Sequence, residues 1–240
     1  MRFHLVLIAA MLPVTACHAS WEKEGHAAQP SGSGGTRSFN ATGFTGVDLR
    51  GSDDVDVKAG NSFSVTAEGD PKVLDQLEIK VVDGTLRVGR KSNNFSWSGD
   101  HGAKVHVVMP KLTLASVSGS GDLTIDRAEG DFTGSIAGSG NLDIAALNAN
   151  AAKLSVAGSG DMTLAGTVAK LTASIVGSGD IDGEKLTATG ASISVVGSGN
   201  MRGVVKGGAS VSIAGSGDVD LTGGANCAVN AVGSGEAHCS

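Results

Sequence analysis

One position, repeated seven times, carries the side chains in this sequence best placed to do chemistry: Asp122, Asn141, Asp161, Asp180, Asn200, Asp218 and Glu236, each directly after a Gly-Ser-Gly triplet. Oxygen ligands in file could hold a divalent cation such as calcium between successive copies. They could equally accept hydrogen bonds from the amides of their own turns, the habitual use of Asp and Asn in turns. At a strand spacing of about 4.8 Å, neighbouring carboxylates would repel by roughly 1 kcal/mol in water and by several at an effective dielectric of about 20. Asn141 and Asn200 interrupt the run and relieve part of that repulsion. Calcium-binding β-rolls instead repeat Gly-Gly-x-Gly-x-Asp at a nonapeptide period. The hydrogen-bonding role is therefore expected, and no metal is assigned.

Gly-Ser-Gly is neither the Gly-x-Ser-x-Gly of a nucleophile elbow nor a phosphate loop ending in Gly-Lys-Ser/Thr, and its repetition argues for geometry over catalysis. His101 and His106 lack a partnering Cys or an acidic motif at metal-ligand spacing. No catalytic residue and no cofactor is assigned, and the chain is read as non-enzymatic. Residues Asn93 to His101 bring two large rings close together. Phe95, Trp97 and His101 there form a candidate ligand loop, the alternative being an apolar plug over the N-terminal opening of the fold. A net charge of −6 gives no basic surface for nucleic acid or anionic lipid. With two Trp, six Phe and no Tyr, the chain has few anchors for a tight interface or for stacking on sugars.

The elements that hold these residues follow from the repeat. Gly119, Gly138, Gly158, Gly177, Gly197, Gly215 and Gly233 open the triplets, at spacings of 19, 20, 19, 20, 18 and 18 residues. Two positions upstream stand Val117, Ile136, Val156, Ile175, Val195, Ile213 and Ala231; after the triplet and its polar residue come Leu123, Leu142, Met162, Ile181, Met201, Val219 and Ala237. Apolar and polar residues alternate with period two on both sides of the glycines, so each unit reads as strand, corner, strand with one face buried. Such a unit cannot bury that face alone, and copies at a fixed period stack as a solenoid. The expected fold is all-β: a right-handed parallel β-helix of 18–20-residue circuits over 113–239, on the order of 34 Å long at strand spacing. Residues 39–112 form a less regular β segment of the same domain, 39–240. Within it Gly51-Ser52-Asp53 reads as a divergent copy that caps the rod, Asp83-Gly84 as a hairpin turn, and Pro71 to Leu77 as at most a helical turn.

The N-terminus reads as an export signal. Arg2 precedes the apolar run Leu5 to Leu12 and then Val14-Thr15-Ala16-Cys17, too short for a membrane span. Residues 1–16 are taken as a lipoprotein-type signal peptide with Cys17 as the lipid attachment site; simple cleavage after Ala19 is the alternative. Residues 17–38, rich in Gly and Ser and without apolar periodicity, read as a flexible tether. Lipidation of Cys17 would leave Cys227 and Cys239 as an even pair. Both fall in inward-facing columns of the final circuit, and a disulfide across that circuit is expected, the alternative being two buried free thiols.

The Gly-Ser-Gly-Asp/Asn units, the Gly51-Ser52-Asp53-Asp54-Val55-Asp56-Val57 segment and the Met109-Pro110-x-Leu112 entry resemble the head GIN domain family of autotransporter adhesins, over about residues 39 to 239. The resemblance implies a β-helical, exported, envelope-associated domain with no catalytic residues to carry over. An autotransporter ends in a membrane β-barrel, and no such segment follows the last repeat here. The functional expectation is a non-catalytic structural or adhesin-like lipoprotein of the bacterial cell envelope, sorted to the outer membrane and anchored by its lipid. Its partners would be a second copy through edge stacking or an envelope or surface component. The alternative is a periplasmic ligand-binding or carbohydrate-active β-helix using the Phe95–His101 loop.

Overall fold

The computed structural model describes residues 25–91 and 102–240. Alternation in the sequence becomes parallel stacking. Leu114–Gly119 pairs in parallel with Phe132–Gly138, which pairs with the last part of Leu142–Gly158, and the ladder continues through Met162–Gly177, Ile181–Gly197 and Gly208–Gly215 to Asn226–Gly233. Every Gly-Ser-Gly corner is in register with the next, Gly119 opposite Gly138 and so on to Gly233. A second ladder follows the corners, from Leu123–Ile125 to Ala237–Cys239. The inward column Leu123, Leu142, Met162, Ile181, Met201 and Val219 is at most 1% exposed, so each circuit covers the apolar side of its neighbour. The molecule is a β-solenoid with a less regular N-terminal strand region.

The two glycines of each corner are required for different reasons. The first adopts φ between 123° and 138° in all seven copies, a conformation that side chains resist. The second is not in that region, but a Cβ on Gly140, Gly160 or Gly179 would run into the carbonyl oxygen of the corresponding glycine one circuit below. Variation in circuit length is absorbed elsewhere. Register shifts fall between Ile144 and Leu147, Thr163 and Ala165, and Gly183 and Thr187, where the chain turns onto a third side. That side begins at Ala128–Glu129 and ends near Val205.

The N-terminal half enters the same stack out of chain order. Gly46–Gly51 lies in parallel beneath Leu114–Gly119 with Gly51 opposite Gly119, and Asp54–Ala59 lies beneath Leu123–Ile125. Below them come Thr85–Arg90 and Lys104–Met109, also parallel. The Gly51 copy is thus an inner level of the rod and not its cap. Capping is done by antiparallel strands. Leu77–Val82 closes one side through the Asp83-Gly84 hairpin, where φ is 48° and 73°, and His26–Ala27 adds outside it. Ser64–Glu68 closes the other side, followed by Thr36–Phe39 and Pro30–Ser31. From His26 onward, then, the segment expected to be a tether pairs into the sheet. Its strands are two to four residues long, too short to show a period. The helical turn Pro71–Leu74 is capped by Asp70, whose side chain accepts from the Lys72 amide.

Candidate functional site

The acidic column is a ladder between circuits. The Asn141 amide donates to Asp122 Oδ1 at 3.1 Å, Asp161 to Asn141 Oδ1 at 3.1 Å, Asp180 to Asp161 Oδ1 at 2.9 Å and Asn200 to Asp180 Oδ1 at 2.6 Å. Asp218 and Glu236 continue the series at 3.0 and 2.9 Å, and Asp122 begins it on Asp54 Oδ1 at 3.2 Å. Each side chain of the column but Glu236, which stands in the last circuit, therefore bonds the backbone of the next circuit, where an amide of its own turn was expected. Charge repulsion is also met directly: Nδ2 of Asn141 and of Asn200 donates to the aspartate one circuit below, at 2.9 and 3.1 Å. With one oxygen of each aspartate engaged, the column acts as an extension of the backbone ladder around the corner. Among the described residues no group of three His, Cys, Asp or Glu side chains is placed to hold a metal ion.

The N-terminal levels hold the most buried charge. Asp53 is fully buried; its carboxylate accepts from Arg90 Nε at 3.0 Å and Nη2 at 2.6 Å, and from the Ala103 amide at 2.8 Å. The hydrogen bond to Asp53 holds the Arg90 guanidinium pKa above its ordinary value, against the opposing effect of burial. Asp53 thus ties together the two strand ends that flank residues 92–101. The sequence does carry a signal for it: in the register Gly51 opposite Gly119, Asp53 stands where Gly121 stands one level above, so an acid replaces a glycine at a corner. Periodicity alone did not distinguish that acid from the exposed column.

His106 sits between carboxylates, Nδ1 at 3.4 Å from Asp56 and Nε2 at 3.3 Å from Glu68, with Lys104 at 3.0 Å from Asp56. The hydrogen bond to Asp56 raises the Lys104 pKa. The proposed ligand loop of Phe95, Trp97 and His101 lies outside the described residues, as do the signal peptide and Cys17. Cys227 and Cys239 are joined by a disulfide with Cα atoms 6.4 Å apart, linking Asn226–Gly233 to Ala237–Cys239 within the last circuit.

Among the described residues, two shallow depressions stand out on the solenoid wall. One of about 740 Å³ lies where the third side begins, rimmed by Asn61, Lys111, Arg127 and Glu129. The other, about 550 Å³, runs past Asp131, Lys153 and Lys170. The outer face of the strands before the corners is almost without charge, with a serine column, Ser116, Ser135, Ser155, Ser174, Ser194 and Ser212, beside an exposed column that includes Val176 and Val196.

These features define a β-solenoid domain whose acidic column joins circuit to circuit. The chain belongs to the family described as "Putative auto-transporter adhesin, head GIN domain", whose model matches residues 43–225. Solved structures share the fold. A putative adhesin from Bacteroides fragilis NCTC 9343 aligns with a TM-score of 0.78 at 21% identity, over 88% of this chain and 99% of that one. A putative lipid binding protein from Parabacteroides distasonis ATCC 8503 gives 0.68 at 21%, over 90% and 98%. A putative adhesin from Parabacteroides merdae ATCC 43184 gives 0.67 at 17%, over 85% and 95%. None of the curated proteins matches this chain.

Proposed function

We propose that this protein is a non-catalytic component of the bacterial cell envelope, an adhesin-like rod anchored through a lipid on Cys17. The observation that carries the reading is the use of the acidic column. Side chains that could have formed a ligand site are committed instead, one oxygen each, to joining circuit to circuit. What remains for contact is broad, flat and poor in charge, a surface suited to many weak contacts more than to enclosing a small substrate. The names carried by the family and by its structural neighbours, adhesins and a lipid-binding protein, support the same class. Lipid anchoring at Cys17 would place the rod at a membrane surface, with the residues before Gly25 between the lipid and the sheet.

The test is to express the full chain in a Gram-negative host, fractionate the envelope and determine the mass of the mature N-terminus. A diacyl- or triacyl-modified Cys17 in the outer-membrane fraction is expected, with release to the periplasm for Cys17→Ser. An unmodified N-terminus after Ala19 would contradict the anchor. Binding of the purified rod to a glycan array and to cells then tests adhesion, and binding that fails for Trp97→Ala alone would instead favour the ligand-loop alternative.

A further inference from the structure

We infer that the C-terminal circuit is a self-association surface, taking a second copy of this chain across a two-fold axis. The apolar column that includes Leu154, Ala173, Ile193 and Val211 is at most 2% exposed, yet Val229, the next member of that column, is 47% exposed. Ala231, which continues the buried column of Val195 and Ile213, is exposed as well. The interior of the solenoid is therefore open at this end, among the described residues.

The edge itself is available as well. Asn226 and Ser234 donate their amides inward, to Gly207 and Gly215 of the preceding circuit. By the alternation of strand hydrogen bonding, the N–H and C=O groups of Cys227, Val229 and Ala231 point to the free side. Natural edge strands are usually blunted by charge, proline, bulges or brevity. Asn226–Gly233 is eight residues long, and residues 221–235 contain no Asp, Glu, Lys, Arg, His or Pro.

Two considerations select a second copy as the occupant. An isologous contact sets a surface against itself, so any charge near its centre would face its own kind; this edge has none. Head-to-tail stacking, the other way to use the edge, needs a complementary open end, and the N-terminal end is closed by the antiparallel strands His26–Ala27 and Pro30–Ser31. What remains is pairing of Asn226–Gly233 antiparallel to its own copy, with Val229 near the two-fold axis. One circuit is a small contact, below the standard interface size, so the dimer is reversible.

Sedimentation velocity on the full chain carrying Cys17→Ser, so that no lipid drives association, tests this over a dilution series. A monomer–dimer equilibrium without larger species is expected, with Val229→Lys weakening it at least ten-fold and Val176→Lys, an equally exposed change in mid-rod, leaving it unchanged. Val229→Pro, which removes one outward N–H and adds no charge, should weaken it too; circular dichroism confirms that each variant is folded. A chain that stays monomeric at millimolar concentration, a series of ever larger oligomers, or a dimer indifferent to both Val229 variants would each overturn the inference.

Discussion

The two ends of the rod solve one problem in different ways. A parallel stack exposes its core and a strand edge wherever it stops. At the N-terminal end the chain doubles back, laying Leu77–Val82 and Ser64–Glu68 antiparallel on the last parallel strands and tapering to two-residue strands, one of which begins with Pro30. The Asp53–Arg90 pair fastens the outermost parallel level to the one above. At the C-terminal end the last circuit is held to itself by the Cys227–Cys239 disulfide, and its edge is left bare. A seal made by secondary structure satisfies the backbone, whereas a covalent clip limits fraying but leaves the hydrogen-bonding groups unused. In a solenoid, where stability is close to a sum over neighbouring circuits, this asymmetry makes the C-terminal circuits the first to open.

The largest effect that sharpens this contrast should come from the middle of the rod. Gly177→Ala places a Cβ against the carbonyl of Gly158 at a φ of 127°, and a loss of at least about 3 kcal/mol is expected in denaturant unfolding. Gly224→Ala, at φ 83° but with open space around it, should cost only about 1 kcal/mol. Removing the clip with Cys227→Ser and Cys239→Ser together should cost about 3 kcal/mol by chain entropy. Hydrogen exchange should locate that loss in residues 219–239, leaving the N-terminal levels unchanged. Asp53→Ala, which strands the Arg90 guanidinium and the Ala103 amide, should cost about 2 kcal/mol and speed exchange at the N-terminal end instead. Equal exchange profiles for the two variants would break the comparison.

The smallest effect concerns pH. Because the folded pKa of Lys104 is raised above 10.5 by Asp56, its contribution is fully present below the ordinary lysine value and is lost as pH rises through the folded one. Lys104→Met should therefore flatten a slight fall in thermal midpoint above about pH 10.5 and leave the midpoint at neutral pH nearly unchanged.

The repeats were legible because every column repeats in chain order: the alternation around Val156 or Met162 fixes the buried face, and the glycine corners fix the circuit. The N-terminal half was legible only in fragments. Gly51-Ser52-Asp53 could be recognised as a copy, but its place between Thr85–Arg90 and Leu114–Gly119 could not, since periodicity reports only neighbours that are consecutive in sequence. The pairing of His26–Ala27, Pro30–Ser31 and Thr36–Phe39 left no signal, because those strands are shorter than the window in which alternation can be read. In the acidic column the residue types pointed to hydrogen bonding, but whether Asp122 reaches its own turn or the next circuit depends on how closely corners stack, a distance that a sequence does not contain.

The most direct test of the asymmetric rod is residue-resolved hydrogen exchange on the folded protein at a concentration low enough to keep it monomeric. Amides at 46–59 should be as protected as those at 162–197, with protection falling steadily from Val219 to Cys239. Fraying at both ends alike, or exchange at Thr36–Phe39 as fast as in an unstructured chain, would contradict a sealed N-terminal end and an open C-terminal one.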